Sequence, residues 1–249
     1  MDWKFYAGVG SVMREGGELS ICENLIYGNI MKSSKKYLVL AAGFVLSGCV
    51  AEAKHTKLDR FGVPLKDQSL EWNSDGDEST YDKWSCVLDN ETNLIWEVKS
   101  DDGGLRDFHW SYTWFDPNSS DGDPGWYDRG YCLDDEQCDI AGYVEAVNDI
   151  ELCGGSDWRI PASNIEDKAD VKSNELLNIV DNSKEYAPFI DLALFPNDIA
   201  INSAYWTAEP YPDSIMGAVS VSFGFGEAGF SSKSKSLSIR LVRTNDSEK

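Results

Sequence analysis

Six cysteines carry the most distinctive chemistry in this chain of 249 residues. Cys86, Cys132, Cys138 and Cys153 fall in the part that reads as a folded domain, and no Cys-x-x-Cys spacing occurs. That pattern speaks against a thiolate zinc site and for oxidation to two disulfides. Four cysteines allow three pairings. The preferred one closes Cys132–Cys138 as a local clasp and Cys86–Cys153 as a long staple. A second group offers oxygen: Asp116, Asn118, Asp121 and Asp123, gathered around Gly122. Calcium takes several such ligands, so this is the candidate metal set and calcium the one candidate cofactor. The spacing differs from that of an EF-hand loop, and a solvated acidic turn is the alternative. A third group is aromatic. Trp110, Tyr112, Trp114, Trp126 and Tyr127 lie in one long loop among Asp, Gly and Pro. Exposed rings there could stack on a sugar or a partner protein; a local mini-core is the other reading. The two histidines, His55 and His109, leave little from which triad chemistry could be built. No catalytic residue is assigned, and the chain is read as a non-enzyme.

Cys49 calls for different chemistry. Met31 opens a basic stretch with Lys32, Lys35 and Lys36, Tyr37 to Leu46 is apolar, and Leu46-Ser47-Gly48-Cys49 follows. A basic start, a short apolar run and small residues before a cleavage point make a secretory signal. The run is too short for a bilayer, which needs about 20 residues. The ending resembles the bacterial lipoprotein lipobox, in which the peptidase cuts before the cysteine and its thiol carries a diacylglycerol. Cys49 is therefore the expected lipidation site, and more than one acyl chain makes membrane attachment stable. Val50 rather than Asp follows it, as in an outer-membrane address. On this reading residues 1–30 are an upstream extension, 31–48 the signal peptide and 49–83 a lipid anchor with a flexible tether. The domain spans 84–243, and 244–249 is a tail. Asp75-Gly76-Asp77 inside the tether could touch calcium, but a lone Asp-Gly-Asp is a weak signal and a solvated linker is the expected reading.

The net charge is −21, from 43 acidic and 22 basic residues. Such a field repels nucleic acid and other polyanions. Residues 1–48 hold five of the basic and four of the acidic groups, so the acidity belongs to the exported part.

The elements that must position these groups follow from periodicity and breakers. Cys86–Asp89 and Leu94–Val98 read as strands joined by the turn Asn90-Glu-Thr-Asn93. Asp139 is a helix N-cap, and Ile140, Tyr143, Val144 and Val147 follow at helical spacing. A second helix is expected over Asn174–Val180, with Ser173 as cap and Leu176, Leu177 and Val180 inward. Tyr205–Thr207, Ala218–Phe223 and Leu237–Arg243 read as strands, with Gly224, Gly226 and Gly229 in the hairpin between the last two. Cys153-Gly-Gly-Ser-Asp-Trp-Arg-Ile-Pro161 combines a glycine turn with a proline stop around Trp158, a ring large enough to centre a core. Trp84, Trp96, Trp158 and Trp206 are expected in the core. Arg159 and Arg240 are expected to pair with acids such as Asp157.

Taken in order, these pieces resemble one family. They are Cys86-Val-Leu-Asp-Asn-Glu-Thr-Asn-Leu-Ile-Trp-Glu-Val-Lys99, Asp102-Gly-Gly-Leu105, Tyr112-Thr-Trp-Phe115, Cys153-Gly…Asp157-Trp-Arg-Ile-Pro161, Glu175-Leu-Leu, Tyr205-Trp206 and Ile239-Arg-Leu-Val-Arg243. The family is named for the C-terminal domain of the Legionella collagen-like adhesin. The resemblance implies an exported single domain of the α+β class, stapled by disulfides, with short antiparallel strands and two helices. Its fold would be similar to C-type-lectin-like and sulfatase-modifying-factor-like domains. The founding member is an adhesin for sulfated glycans. Two departures stand out: the extra residues Ala162–Asn174, and an acidity that argues against sulfated, anionic ligands. The functional expectation is a lipid-anchored binding or adhesion-type domain of the cell envelope, with a glycan or protein ligand. The alternatives are a structural envelope lipoprotein without ligand, and a hydrolase.

Overall fold

The computed structural model describes residues 53–73, 83–163, 175–197 and 204–245. The leader and Cys49 lie outside the described residues, and so does Asp75-Gly76-Asp77. The first sheet has four antiparallel strands in the order β1 (His55–Leu58), β2 (Cys86–Asp89), β3 (Leu94–Glu97) and β9 (Val242–Thr244). The second is a short ribbon of β4 (Tyr112–Thr113) and β8 (Ser236–Leu237). The third has three strands, β5 (Ala204–Pro210), β6 (Gly217–Ser222) and β7 (Glu227–Ser232). The α-helix, α1, runs from Ile140 to Asp149.

The β2–β3 hairpin shows why the chain folds around the first sheet. Val87 pairs with Trp96, and Leu88 with Ile95. Alternation then sends Val87, Leu94 and Trp96 to one face, and Cys86 and Ile95 to the other. Both faces are covered. Trp96, Val242, Tyr205, Val221 and Phe223 fill one cluster. Ile95, Trp114, Trp158, Trp206 and the α1 residues Ile140, Tyr143 and Val147 fill the other. Burial on both sides explains why Leu94-Ile-Trp lacks the polar alternation of a half-exposed strand. Trp84, Trp96, Trp158 and Trp206 are all in the core, as expected.

Asp139 caps α1, its carboxylate accepting from the amides of Ala141 and Gly142 at 3.0 Å each. Cys86 is joined to Cys153 and Cys132 to Cys138, the preferred pairing. The first closes a separation of 67 residues. Restricting the unfolded chain that far is worth about 4 kcal/mol in the entropic account.

The fold class is corrected. This is a predominantly antiparallel β-structure with one α-helix among the described residues, in place of an α+β, lectin-like plan with two. Residues Glu175–Ile179 form a 3₁₀ turn. The segment is pinned at both ends, because Glu175 N–H donates to Ala162 O at 2.8 Å and Val180 bridges Ile190. Five residues between such anchors close i→i+3 turns more readily than an α-helix. Ser173 lies outside the described residues. The closing strand is also corrected. It breaks at Ile239–Leu241, where the chain passes from the second sheet to the first and Leu241 N–H donates to the Glu97 carboxylate at 2.9 Å. The glycine-rich hairpin carries a strand that the sequence did not reveal, β7.

The tether is corrected as well. Residues 53–73 belong to the domain: β1 pairs with β2, Leu58 and Leu65 are buried, and Trp72 meets Trp84 edge-on at 5.0 Å. Lys57 spans the join, its ammonium 3.9 Å over the Trp84 ring and 2.7 Å from Leu70 O. Polar composition hid this strand, because its lysine buries a stem rather than displaying a charge. Of the residues assigned to the tail, Thr244 continues the sheet opposite Leu94 and Asn245 bonds back to Asn93.

Candidate functional site

The long aromatic loop is an irregular ribbon. Residues 111–116 run antiparallel to 124–131, with bridges Ser111–Tyr131 and Phe115–Gly125. Trp126 N–H donates to Trp114 O at 2.9 Å. Gly125 is required at the tightest point: its φ is +83°, and a Cβ there would collide with the Trp114 carbonyl.

The ribbon sorts the expected aromatic residues into two sets. Tyr112 and Trp114 are core, at 2% and 0% exposure. They are removed from the candidate binding set. Their burial follows from an exchange of indole bonds: Trp114 donates to Thr207 O at 2.9 Å, and Trp206 donates to Tyr112 O at 2.7 Å. Each indole N–H needs such a partner once buried, and the two bonds lock the ribbon to β5. Trp110 is half-buried, its N–H given to Gly104 O at 2.7 Å. Trp126 and Tyr127 face solvent at 46% and 56% exposure. Tyr131, which the sequence reading passed over, joins them at 61%. Phe115 supports Tyr127 and Trp110 supports Tyr131, each pair edge-on with centroids 5.2 and 5.3 Å apart. Tyr131 was legible only as the neighbour of Cys132, since its exposure depends on the Ser111 pairing.

The structure does not gather the acidic residues into a calcium cage. Asp116 caps Asn118 N–H, Asp121 caps Asp123 N–H and Asp123 caps Gly125 N–H, a run of local turns. The cation among them is a side chain. The Lys233 ammonium donates to the two Asp121 carboxylate oxygens at 2.8 and 3.1 Å and to Asp123 O at 2.6 Å. Lys233 is 1% exposed and lies 4.4 Å over the Trp114 ring. Burial opposes ionisation of Asp121, but the hydrogen bonds from Lys233 and Ser119 carry it below the ordinary carboxylate range. Asn118, on the exposed outer turn, is not bonded into this group through its side chain among the described residues. Among the described residues, the set whose ligand atoms do converge is Asp101, Asp107 and His109. There Asp107 already accepts from the amides of Asp102, Gly103 and His109 and meets the His109 ring nitrogen at 2.8 Å. Burial opposes its ionisation too, and those donors hold its carboxyl below the usual range. They also occupy the lone pairs that a metal would need.

Other charges are internal. Arg159 grips Glu175 with two bonds of 2.6 Å, in place of Asp157. Arg240 donates to Glu97 O and lies 4.5 Å over Phe195. Asp157 is 3.7 Å from Arg243, whose guanidinium donates to Cys153 O at 2.8 Å. Tyr143 donates to Glu97, which also takes Lys99 at 3.1 Å; burial first, and then Glu97, push the Tyr143 hydroxyl well above its ordinary range. A cleft of about 200 Å³ opens beside this region, lined by Arg60, Ser100, Asp102, Leu105, Arg106, Ile150 and Leu152. Burial pulls Arg106 down to about 10, and its guanidinium donates to Val98 O at 2.6 Å.

Among the described residues, no helix is long and apolar enough to cross a membrane. No curated protein and no solved structure matches this chain. A known family does: the one described as the Lcl C-terminal domain matches residues 85–243. The match runs from the residue before the β2–β3 hairpin to Arg243, taking in both disulfides and the aromatic ribbon, and so the chain belongs to the Lcl C-terminal domain family.

Proposed function

We propose that this protein is a lipid-anchored, non-catalytic binding domain of the bacterial cell envelope, held at the outer membrane through Cys49. It engages a surface glycan or protein through the ribbon aromatics Trp126, Tyr127 and Tyr131. The observation that carries the reading is the solvent exposure of these three rings on a ribbon that Tyr112 and Trp114 lock into the core. Large rings left in water on a rigid support are the usual anchors of recognition surfaces. Two disulfides fit an oxidising compartment outside the cytoplasm. The signal-like leader ending in Cys49 and the resemblance to an adhesin family point the same way.

Two measurements test this. Mass spectrometry of the protein from its native membrane should show a mature chain that begins at Cys49 with an acyl mass; an unprocessed leader overturns the anchoring. Glycan and envelope-protein arrays should give a ligand whose binding falls about tenfold or more with Trp126→Ala or Tyr127→Ala, at unchanged melting temperature. Binding that ignores both substitutions removes the ribbon from the function.

A further inference from the structure

We infer that the partner of the ribbon is cationic: a Lys- or Arg-rich segment of another protein, docked on Trp126, Tyr127 and Tyr131 and on the acidic ring that follows them. This rests on the ribbon being the binding surface and goes on to name the chemistry it selects.

The chain runs directly from Tyr131 into the Cys132–Cys138 ring, and Asp134, Asp135 and Glu136 stand exposed on that ring. Three carboxylates thus follow the last ring with no basic side chain between Tyr131 and Glu136, and across 126–136 the single base, exposed Arg129, is outnumbered by Asp128, Asp134, Asp135 and Glu136. The disulfide holds the acids in place: Asp134 and Asp135 are left-handed at φ +64° and +52°, a conformation a free chain leaves readily. A backbone already fixed loses less ordering entropy when a partner arrives.

The protein already shows what such rings accept. In its interior, Lys57 lies over Trp84 at 3.9 Å, Lys99 over Tyr143 at 4.4 Å and Lys233 over Trp114 at 4.4 Å. Among the described residues, no Lys or Arg covers Trp126, Tyr127 or Tyr131, so these ring faces await a cation from outside. A guanidinium or ammonium set over a ring, with a carboxylate beside it, satisfies both groups at once. The excess of 43 acidic over 22 basic residues steers a basic segment inward and turns an anionic one away. A neutral sugar would use the rings and leave the acidic ring idle.

The test uses the full-length chain and an arginine-rich decapeptide, with a glutamate-rich decapeptide and neutral oligosaccharides as competitors. The expected result is binding that weakens with added salt, drops about tenfold with Trp126→Ala or Tyr131→Ala, and drops comparably with the triple change Asp134→Asn, Asp135→Asn, Glu136→Gln. A charge-matched triple elsewhere on the surface, Asp149→Asn, Glu185→Gln, Asp213→Asn, should keep wild-type affinity. Equal losses in the two triples would overturn the inference, because the attraction would then be the diffuse field of the whole molecule. A neutral oligosaccharide that binds through Trp126, with the arginine peptide failing to bind, would also overturn it while leaving the aromatic ribbon as the binding surface. Arginine-peptide binding indifferent to Trp126 and Tyr131 would overturn both.

Discussion

Lys233 is buried over the Trp114 ring with its ammonium shared between Asp121 and Asp123 O. Its positive charge is what allows a loop of acids to stay closed. Removing one member of a buried charge pair leaves the other uncompensated, at a cost of about 3–5 kcal/mol. Lys233→Met should therefore cost about 3 kcal/mol in chemical denaturation, near the lower end because Asp121 is partly exposed. The pH dependence has a definite sign. The folded-state value of Asp121 lies below the ordinary one. Its contribution is fully present above the unfolded carboxylate's value, about 3.9, and is lost as pH falls through the folded one. The stability difference between the wild type and Asp121→Asn should shrink on acidification below about pH 4. A difference that stays constant down to acid unfolding would remove the ion pair from the account. None of this was legible in the sequence. Lys233 sits 112 residues from Asp121, in a stretch of alternating Ser and Lys.

At the scale of elements, legibility followed locality. The β2–β3 hairpin, the Asp139 cap, α1 and the short disulfide are set by neighbours within a few residues, and their signals survive in the bare sequence. What failed depended on distant partners. Glu175–Ile179 looked helical from Leu176, Leu177 and Val180, but its ends are tied to Ala162 and Ile190. Tyr112 and Trp114 sat among Asp, Gly and Pro like surface residues, yet they trade indole bonds with β5. The strand β1 was invisible because it completes a sheet rather than starting one. That last point has a consequence for where the folding unit begins. The family match opens at residue 85, but β1 covers the β2 edge and Lys57 covers Trp84. A truncation to residues 84–249 should lose cooperative unfolding or melt about 4–8 °C lower, which is what a loss of about 2 kcal/mol costs a domain of this size. A truncation to residues 53–249 should melt like the full-length chain. Equal melting of both would show that β1 is dispensable.

The whole molecule sets two cores back to back on one sheet while carrying a net charge of −21. Self-repulsion of that size works against compactness, and salt relieves it as the screening length falls to about 8 Å at 0.15 M. The melting temperature should rise between 10 and 150 mM sodium chloride, the reverse of what a fold held by surface ion pairs would show. A flat or falling profile would mean that Lys233, Lys99 and the buried arginines already offset the field internally. Core residues answer to packing and surface charge does not, which is why the cysteines and tryptophans could be placed from the sequence while the ligand could not.

The grip of Arg159 on Glu175 joins two points that lie 16 residues apart along the chain. Ala162 N–H and the Arg159 guanidinium meet on the same carboxylate, while Glu175 N–H returns to Ala162 O. Those bonds hold the two ends, Ala162 and Glu175, together, and the entropic cost of closing a chain between fixed ends grows only logarithmically with its length. An engineer who lengthens the chain there should keep Arg159, Ala162 and Glu175, because they are the clasp that fixes both ends.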